Sequence, residues 1–477
     1  METRNTREPN AVFSIFEEIC AIPHGSGNVG AIGDYCLQFA EEHHLSARRD
    51  TGSNIIIRKP ASRGYDDHAP VILQAHLDMV TEKAAGCKKD LSCDGLTLLQ
   101  EGDWLCAEGT TLGADDGIGV ALALAVLADG SLAHPPLEVL LTSDEEIGML
   151  GAAALDARDL RGRLLINLDE EAEGVFTAGC AGGASAVCHI PTAWENHRVE
   201  TLSLQISGLA GGHSGMEIQR GGANACLLMG RILRELSVKT PLRLICLTCD
   251  GKDNAIAASC TARFAATDAA QIHSCIPEME AQLKSEYTAD PELRLTLCDG
   301  GLTERLMTET ATRRCLDFLL LVPNGVIEMS RTLPSMVQTS LNLGILRTSD
   351  LEMTASFAVR SSIAAQKKHL LERLRALCGR LDGSFSVSGD YPAWEYKETS
   401  RLRSLALDIY REQTGKEPRV NVTHAGLECG LLSEKLPGLD AVAFGPDILG
   451  AHTPLERLRV SSVGTAWKLL KELLRRV

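Results

Sequence analysis

Apolar positions along the chain fall into two spacings, and the alternation between them predicts its elements. At helical spacing they mark residues 11–45 as a helix (AVFSIFEEICAI), a loop holding Pro23, His24, Gly25, Ser26 and Gly27, and a second amphipathic helix (AIGDYCLQFAEEHH). Short apolar runs of strand length follow at 54–59 and 70–75, the second running into His76 and Asp78. The segment 111–119 (TLGADDGIG) turns into an alanine-rich apolar run (VALALAVL), which predicts a loop entering a helix at about 117–129. A strand at 137–142 (LEVLLT) then stops at Asp144, Glu145 and Glu146, and another at 163–168 (RLLINL) stops at Asp169. Three buried-type strands thus end in imidazole or carboxylate groups with helices between them, and in open α/β sheets that edge carries the ligand site.

After residues 179–183 (GCAGG) the texture changes. From about 185 to 390 the pattern reads strand, glycine-rich loop, helix, two strands, helix and strand, followed by two more strands, a helix and a strand. This predicts two successive α+β units inserted into the first domain, which resumes with a helix at 399–414, strands at 419–423 and 441–444, and a final helix at 463–476. At 477 residues two domains are expected in any case.

The net charge of −16 argues against nucleic acid or an anionic membrane as a partner and is compatible with carboxylate-built sites. The sixteen cysteines are scattered, several within apolar runs, with no disulfide framework. The opening METRNTREPN lacks the apolar core of a signal peptide, and no apolar run approaches membrane-spanning length, so a reduced, cytoplasmic protein is expected.

Two adjacent carboxylates before a helix ordinarily act as caps. Here they stand in order with His76, Asp78, Glu145, Glu146, Asp169 and His452, which is the inventory a pair of divalent ions needs: a bridging carboxylate, terminal ligands on each ion, and a free carboxylate to take a proton. At these residues the sequence resembles the M20 metallopeptidases, and within them the aminoacyl-histidine dipeptidase branch. The resemblance covers nearly the whole chain. It rests on AHLDM at 75–79, TLGADDGIG at 111–119, SDEEIGMLGA at 143–152, INLDEE at 166–171, GCAGG at 179–183, GLAGGHSG at 208–215, VQTSLNLGIL at 337–346, HAGLECG at 424–430 and GAHTPLE at 450–456.

The resemblance implies an α/β fold. A zinc-exopeptidase catalytic domain, its mixed sheet flanked by helices, would comprise residues 1–185 and 392–477, and an inserted α+β lid domain of two sandwich-like units would comprise residues 186–391. It further implies two Zn2+ ions per chain, with Mn2+ or Co2+ equally suited to N/O ligands. His76 and Asp169 would hold one ion, Glu146 and His452 the other, and Asp115 would bridge them. Asp78 would orient His76 by accepting its second N–H, and Glu145 would be the general base for water activated by the two ions. In the lid, His213 would donate to the oxyanion, from its own chain or a partner's, and Arg360 would bind the substrate carboxylate. Asn224 and Asn342 match lid positions that touch substrate, and Glu428 would recognise the free amino terminus.

One departure stands out: the resembled pattern has Asn after the bridging residue, and this chain has Asp116, an acceptor-only carboxylate in place of an amide. The expected function is a dipeptidase acting on substrates such as Xaa-His, as a homodimer through the lid or as a monomer. The alternatives are an amidohydrolase of N-acyl amino acids, a broader aminopeptidase, or a non-catalytic peptide-binding protein on the same fold.

Overall fold

The computed structural model describes residues 7–477; the first six residues of the N-terminal stretch read above lie outside the described residues. The chain divides into two compact units. One runs to Cys180 and resumes over Tyr396–Val422 and Leu427–Val477; the other comprises Ala181–Glu395 and Thr423–Gly426. The change of unit thus falls between two consecutive strands, Val175–Cys180 and Gly182–Pro191, which join different sheets.

The first unit is built on an eight-stranded mixed sheet in the order 46–49, 55–59, 137–142, 71–76, 164–167, 440–443, 175–180 and 419–423. Every residue of Val71–His76 and of Leu137–Thr142 is buried, as continuous apolar strands covered on both faces must be. These two strands run parallel in the register Val71↔Leu137 to His76↔Thr142, and Val71–His76 also runs parallel to Leu164–Asn167. Their C-terminal ends therefore share one edge, as the sequence pattern predicts. The Ala114–Ala128 helix is buried on every side, because its small alanines let neighbours close in. At Gly117 a Cβ would stand 3.3 Å from the Phe16 ring, so that glycine sets the approach of the Asn10–Cys20 helix. A small second sheet pairs the hairpin Leu98–Glu101 and Trp104–Ala107 with Arg457–Arg459 and Ile448–Leu449. Among the described residues no helix is long and apolar enough to cross a membrane.

The second unit differs from the two sandwich-like parts expected. Its strands form one nine-stranded antiparallel sheet, because Leu242–Cys249 pairs with Val337–Thr348 through Thr248↔Arg347 and Cys249↔Leu346 and so joins the two α+β groups edge to edge. Side-chain periodicity marks each strand but not its neighbour, and this joint rests on two residue pairs. The helices Ala225–Lys239, Ala269–Glu286, Glu309–Leu321 and Ala364–Arg380 contribute to the unit's apolar core with Phe264, Phe318 and Phe357.

Candidate metal centre

The parallel register sets His76 at the end of its strand, Glu145 and Glu146 three and four residues past the end of the next, and Asp169 two residues past the third. His76 Nδ1 lies 2.9 Å from the backbone carbonyl of Asp78 and 3.6 Å from its carboxylate. The nearer acceptor is thus the main chain rather than the side chain expected. Donation there fixes the ring so that Nε2 faces Asp115. The Asp78 carboxylate holds the opposing loops instead: Oδ1 accepts the Glu145 amide at 2.9 Å, and Oδ2 accepts Ser26 Oγ at 2.8 Å and the Glu146 amide at 3.3 Å.

Asp115 presents one oxygen to each imidazole, Oδ1 to His76 Nε2 at 3.0 Å and Oδ2 to His452 Nε2 at 3.1 Å. Asp169 Oδ1 lies 3.9 Å from His76 Nε2, and Glu146 Oε1 lies 2.8 Å from His452 Nε2. Despite that proximity Glu146 Oε1 is buried without a hydrogen bond. A tetrahedral zinc with bonds of about 2.0–2.1 Å keeps its ligand atoms roughly 3.3 Å apart, and the four separations bracket that value. The donor set therefore fits a pair of divalent ions. His452 itself sits at φ +63°, a left-handed conformation uncommon outside glycine, in the turn after Gly450.

Charge in the cluster is strongly mutual. Burial opposes ionisation of both His76 and Asp115, yet the Asp115 and Asp78 carboxylates hold His76 well above its ordinary value, and the two imidazoles hold Asp115 low. The Asp115 and Glu146 carboxylates beside it push His452 up to about 11. Burial raises Asp169 and Asp116, and burial together with Glu146, Asp115 and Asp78 pushes Glu145 up to about 7 against the pull of His76. Asp116, the residue that departs from the resembled pattern, accepts the His76 amide through Oδ2 at 3.1 Å and forms a potential ligand group with His76 and Asp169.

Glu428 belongs to the same unit and is buried. Its Oε2 accepts Gln74 Nε2 and Thr142 Oγ1, each at 2.6 Å, while Oε1 has no partner. Burial, then Glu145, pushes its carboxyl up to about 8.

The other expected residues lie in the second unit. His213 Nδ1 accepts the Gly215 and Met216 amides at 3.3 and 3.2 Å, which puts the proton on Nε2 and makes that atom a free donor. Burial, then Arg360, lowers its pKa and keeps the ring neutral. Arg360 Nη1 donates to Tyr391 Oη at 3.2 Å, and its Nε is buried without a partner. Asn224 caps the Ala225–Lys239 helix and donates to the Leu343 carbonyl at 2.8 Å; Asn342 donates to the Asp253 and Ala255 carbonyls, each at 2.8 Å. Both are buried with their amide donors committed to backbone. His424 also packs here, its Nε2 2.7 Å from Ser340 Oγ.

Sequence reasoning missed two groups. Gln74, on the central strand, ties Glu428 to Asn167 at 2.6 Å, and the only signal was a polar residue within an apolar run. Glu456 binds the backbone of the Asp115 loop, and nothing in its local sequence points there.

Residues 72–476 match the model of peptidase family M20/M25/M40. The chain is similar to the cytosol non-specific dipeptidase of Escherichia coli (strain K12), with 38% identity over 475 residues covering 98% of each chain. It is similar in structure to the aminoacylhistidine dipeptidase of Vibrio alginolyticus, with a TM-score of 0.92 and 34% identity over 99% of this chain and 97% of that one. An aminopeptidase from Bacillus cereus shares the fold at a TM-score of 0.61 and 14% identity over 99% of both chains.

Proposed function

The chain belongs to peptidase family M20/M25/M40 and is a dipeptidase, and from that premise we propose that His76 and Asp169 hold one divalent ion, Glu146 and His452 a second, and Asp115 bridges them. The observation that carries this reading is Asp115, whose two oxygens each face a different imidazole. Zinc suits the donor set, and manganese or cobalt would be accepted by the same atoms. Such ions, when bound, polarise the scissile carbonyl and lower the pKa of water towards about 7.

The chain's own residues carry the proton. Glu145 stands within 4.8 Å of the His76 and Glu146 ligand atoms but is assigned to neither ion, and its carboxylate takes a proton from the attacking water and delivers it to the leaving amine. His213, whose Nδ1 accepts two backbone amides and so leaves its proton on Nε2, is the residue the family resemblance offers as donor to the oxyanion. Arg360 pairs with the substrate carboxylate, for which its unpartnered Nε and planar fork are suited. Glu428 Oε1 is an acceptor for the amino end. The similarity to a non-specific dipeptidase and to an aminoacylhistidine dipeptidase favours dipeptides as substrates, Xaa-His among them. A cytosolic location accords with the cytosol non-specific dipeptidase to which the chain is similar.

Hydrolysis of β-Ala-His, Ala-His, Gly-Gly, Gly-Gly-Gly and N-acetyl-Ala, before and after chelation and zinc readdition, tests the reading. Dipeptide cleavage lost on chelation and restored by zinc is expected. Cleavage of the acetylated substrate alone would make the protein an amidohydrolase.

A further inference from the structure

An aspartate at the start of a helix normally turns its carboxylate onto the helix's own free amides, because the first N–H groups have no carbonyl partner and carry partial positive charge. Asp115 stands at a kink at the start of the Ala114–Ala128 helix, its φ −82° and ψ 105° outside the helical region, and its oxygens face His76 and His452. The free amides are taken by a residue from the far end of the chain. Glu456 Oε2 accepts the amides of Leu112 at 2.7 Å and Gly113 at 3.0 Å, and Oε1 accepts those of Ala114 at 2.8 Å and Asp115 at 3.3 Å. Glu456 is 2% exposed. It stands four residues after His452 at the close of a turn knitted by Thr453, whose Oγ1 donates to the Gly450 carbonyl at 2.7 Å and accepts the Leu455 amide at 3.2 Å.

We propose that Glu456 is a positioning residue of the metal centre: by capping residues 112–115 in place of Asp115, it leaves both Asp115 oxygens for the two ion sites and ties the His452 turn to the Asp115 loop. The inference rests on the metal reading given above. Both Glu456 oxygens are committed to backbone amides, so its effect passes through the placement of two ligands 337 residues apart in sequence. A carboxylate is required because it offers acceptors on both oxygens. An amide keeps one acceptor oxygen and turns an NH2 group against two of the four backbone N–H groups.

The test compares wild type with E456Q and with E138Q. Glu138 is also a buried carboxylate accepting two backbone amides, those of Arg161 and Gly162 at 2.9 and 2.8 Å, but it lies at the opposite end of its strand from Glu145 and Glu146. In metal-free protein, hydrogen exchange at amides 112–115 should speed up at least about tenfold in E456Q and stay unchanged in E138Q. Zinc affinity, measured by competition with a chromophoric chelator, should fall about 10–100-fold in E456Q alone, the usual range for a residue that supports metal ligands. In the zinc-loaded enzyme kcat should fall with KM nearly constant. Unchanged zinc affinity in E456Q, or an equal loss in E138Q, would overturn the proposal. If E456Q does not fold, E456D keeps the charge on a stem one methylene shorter, and wild-type zinc affinity in that variant would overturn it likewise. Wild-type protein that takes up no zinc would sink the metal reading, while exchange at residues 112–115 would still decide on the cap.

Discussion

Glu145 and Glu146 are adjacent, chemically alike and expected to behave in opposite ways. The Glu146 carboxylate meets His452 at 2.8 Å, whereas Glu145 faces the cluster without an ion pair of its own among the described residues. Replacing Glu145 with Gln should lower kcat by about 10²–10⁴-fold while metal content, read by elemental analysis, stays at the wild-type level. Replacing Glu146 with Gln should lower metal content itself, and the opposite pattern would mean that the two roles are exchanged. His424 makes a prediction about stability. Burial, then Arg360, pulls it from its ordinary value of 6.5 to about 4. The folded state therefore refuses a proton that the unfolded chain accepts. Its contribution is fully present above pH 6.5 and is lost as pH falls from there towards 4, a change of about 3 kcal/mol. Urea unfolding at pH 7 and pH 4.5 should show that pH dependence reduced by about this amount in His424→Gln; an unchanged drop would clear His424 of the effect. Which acid does which job was legible only by resemblance, because neighbouring residues of one type are separated by direction, and direction belongs to the folded backbone.

At the scale of elements, the site depends on how tightly the turn after Leu137–Thr142 is held. Gly151 closes it: its amide donates to the Ser143 carbonyl and its carbonyl accepts Asn54 Nδ2, each at 2.9 Å. A Cβ at that position would meet Asn54 Oδ1 at 2.4 Å and the Ser143 backbone at 2.5 and 2.6 Å. Gly151→Ala should cost about 1–3 kcal/mol by overpacking, read as a lower urea midpoint, and should reduce turnover as well, because the same turn carries Glu145 and Glu146. Full stability with full activity would mean that the turn yields freely. The three strands that deliver the site were legible because continuous burial on both faces leaves an uninterrupted apolar run. The Leu98–Ala107 hairpin and the Val175–Cys180 strand were not, since the former is largely exposed and the latter lies in a stretch of small and polar residues.

For the whole molecule, every proposed ion ligand lies in the first unit, and none comes from Ala181–Glu395. Zinc at about 100 times its dissociation constant stabilises the folded state by roughly 2.7 kcal/mol per site. Calorimetry should therefore show zinc raising the melting of the first unit, and chelation lowering it, in proportion to ligand occupancy; a melting curve indifferent to both would leave the centre without ions. The family, the reaction class and the α/β core were legible in one dimension, because hydrophobic period and residue type are local properties. Only the tertiary structure decided that Asn224 and Asn342 are spent on backbone, that His76 is oriented by a carbonyl, that two expected units share one sheet, and that Glu456 caps a helix more than 300 residues before it. Those are hydrogen bonds and strand pairings between distant segments, and a partner is chosen by proximity in space, which no periodicity along the chain records.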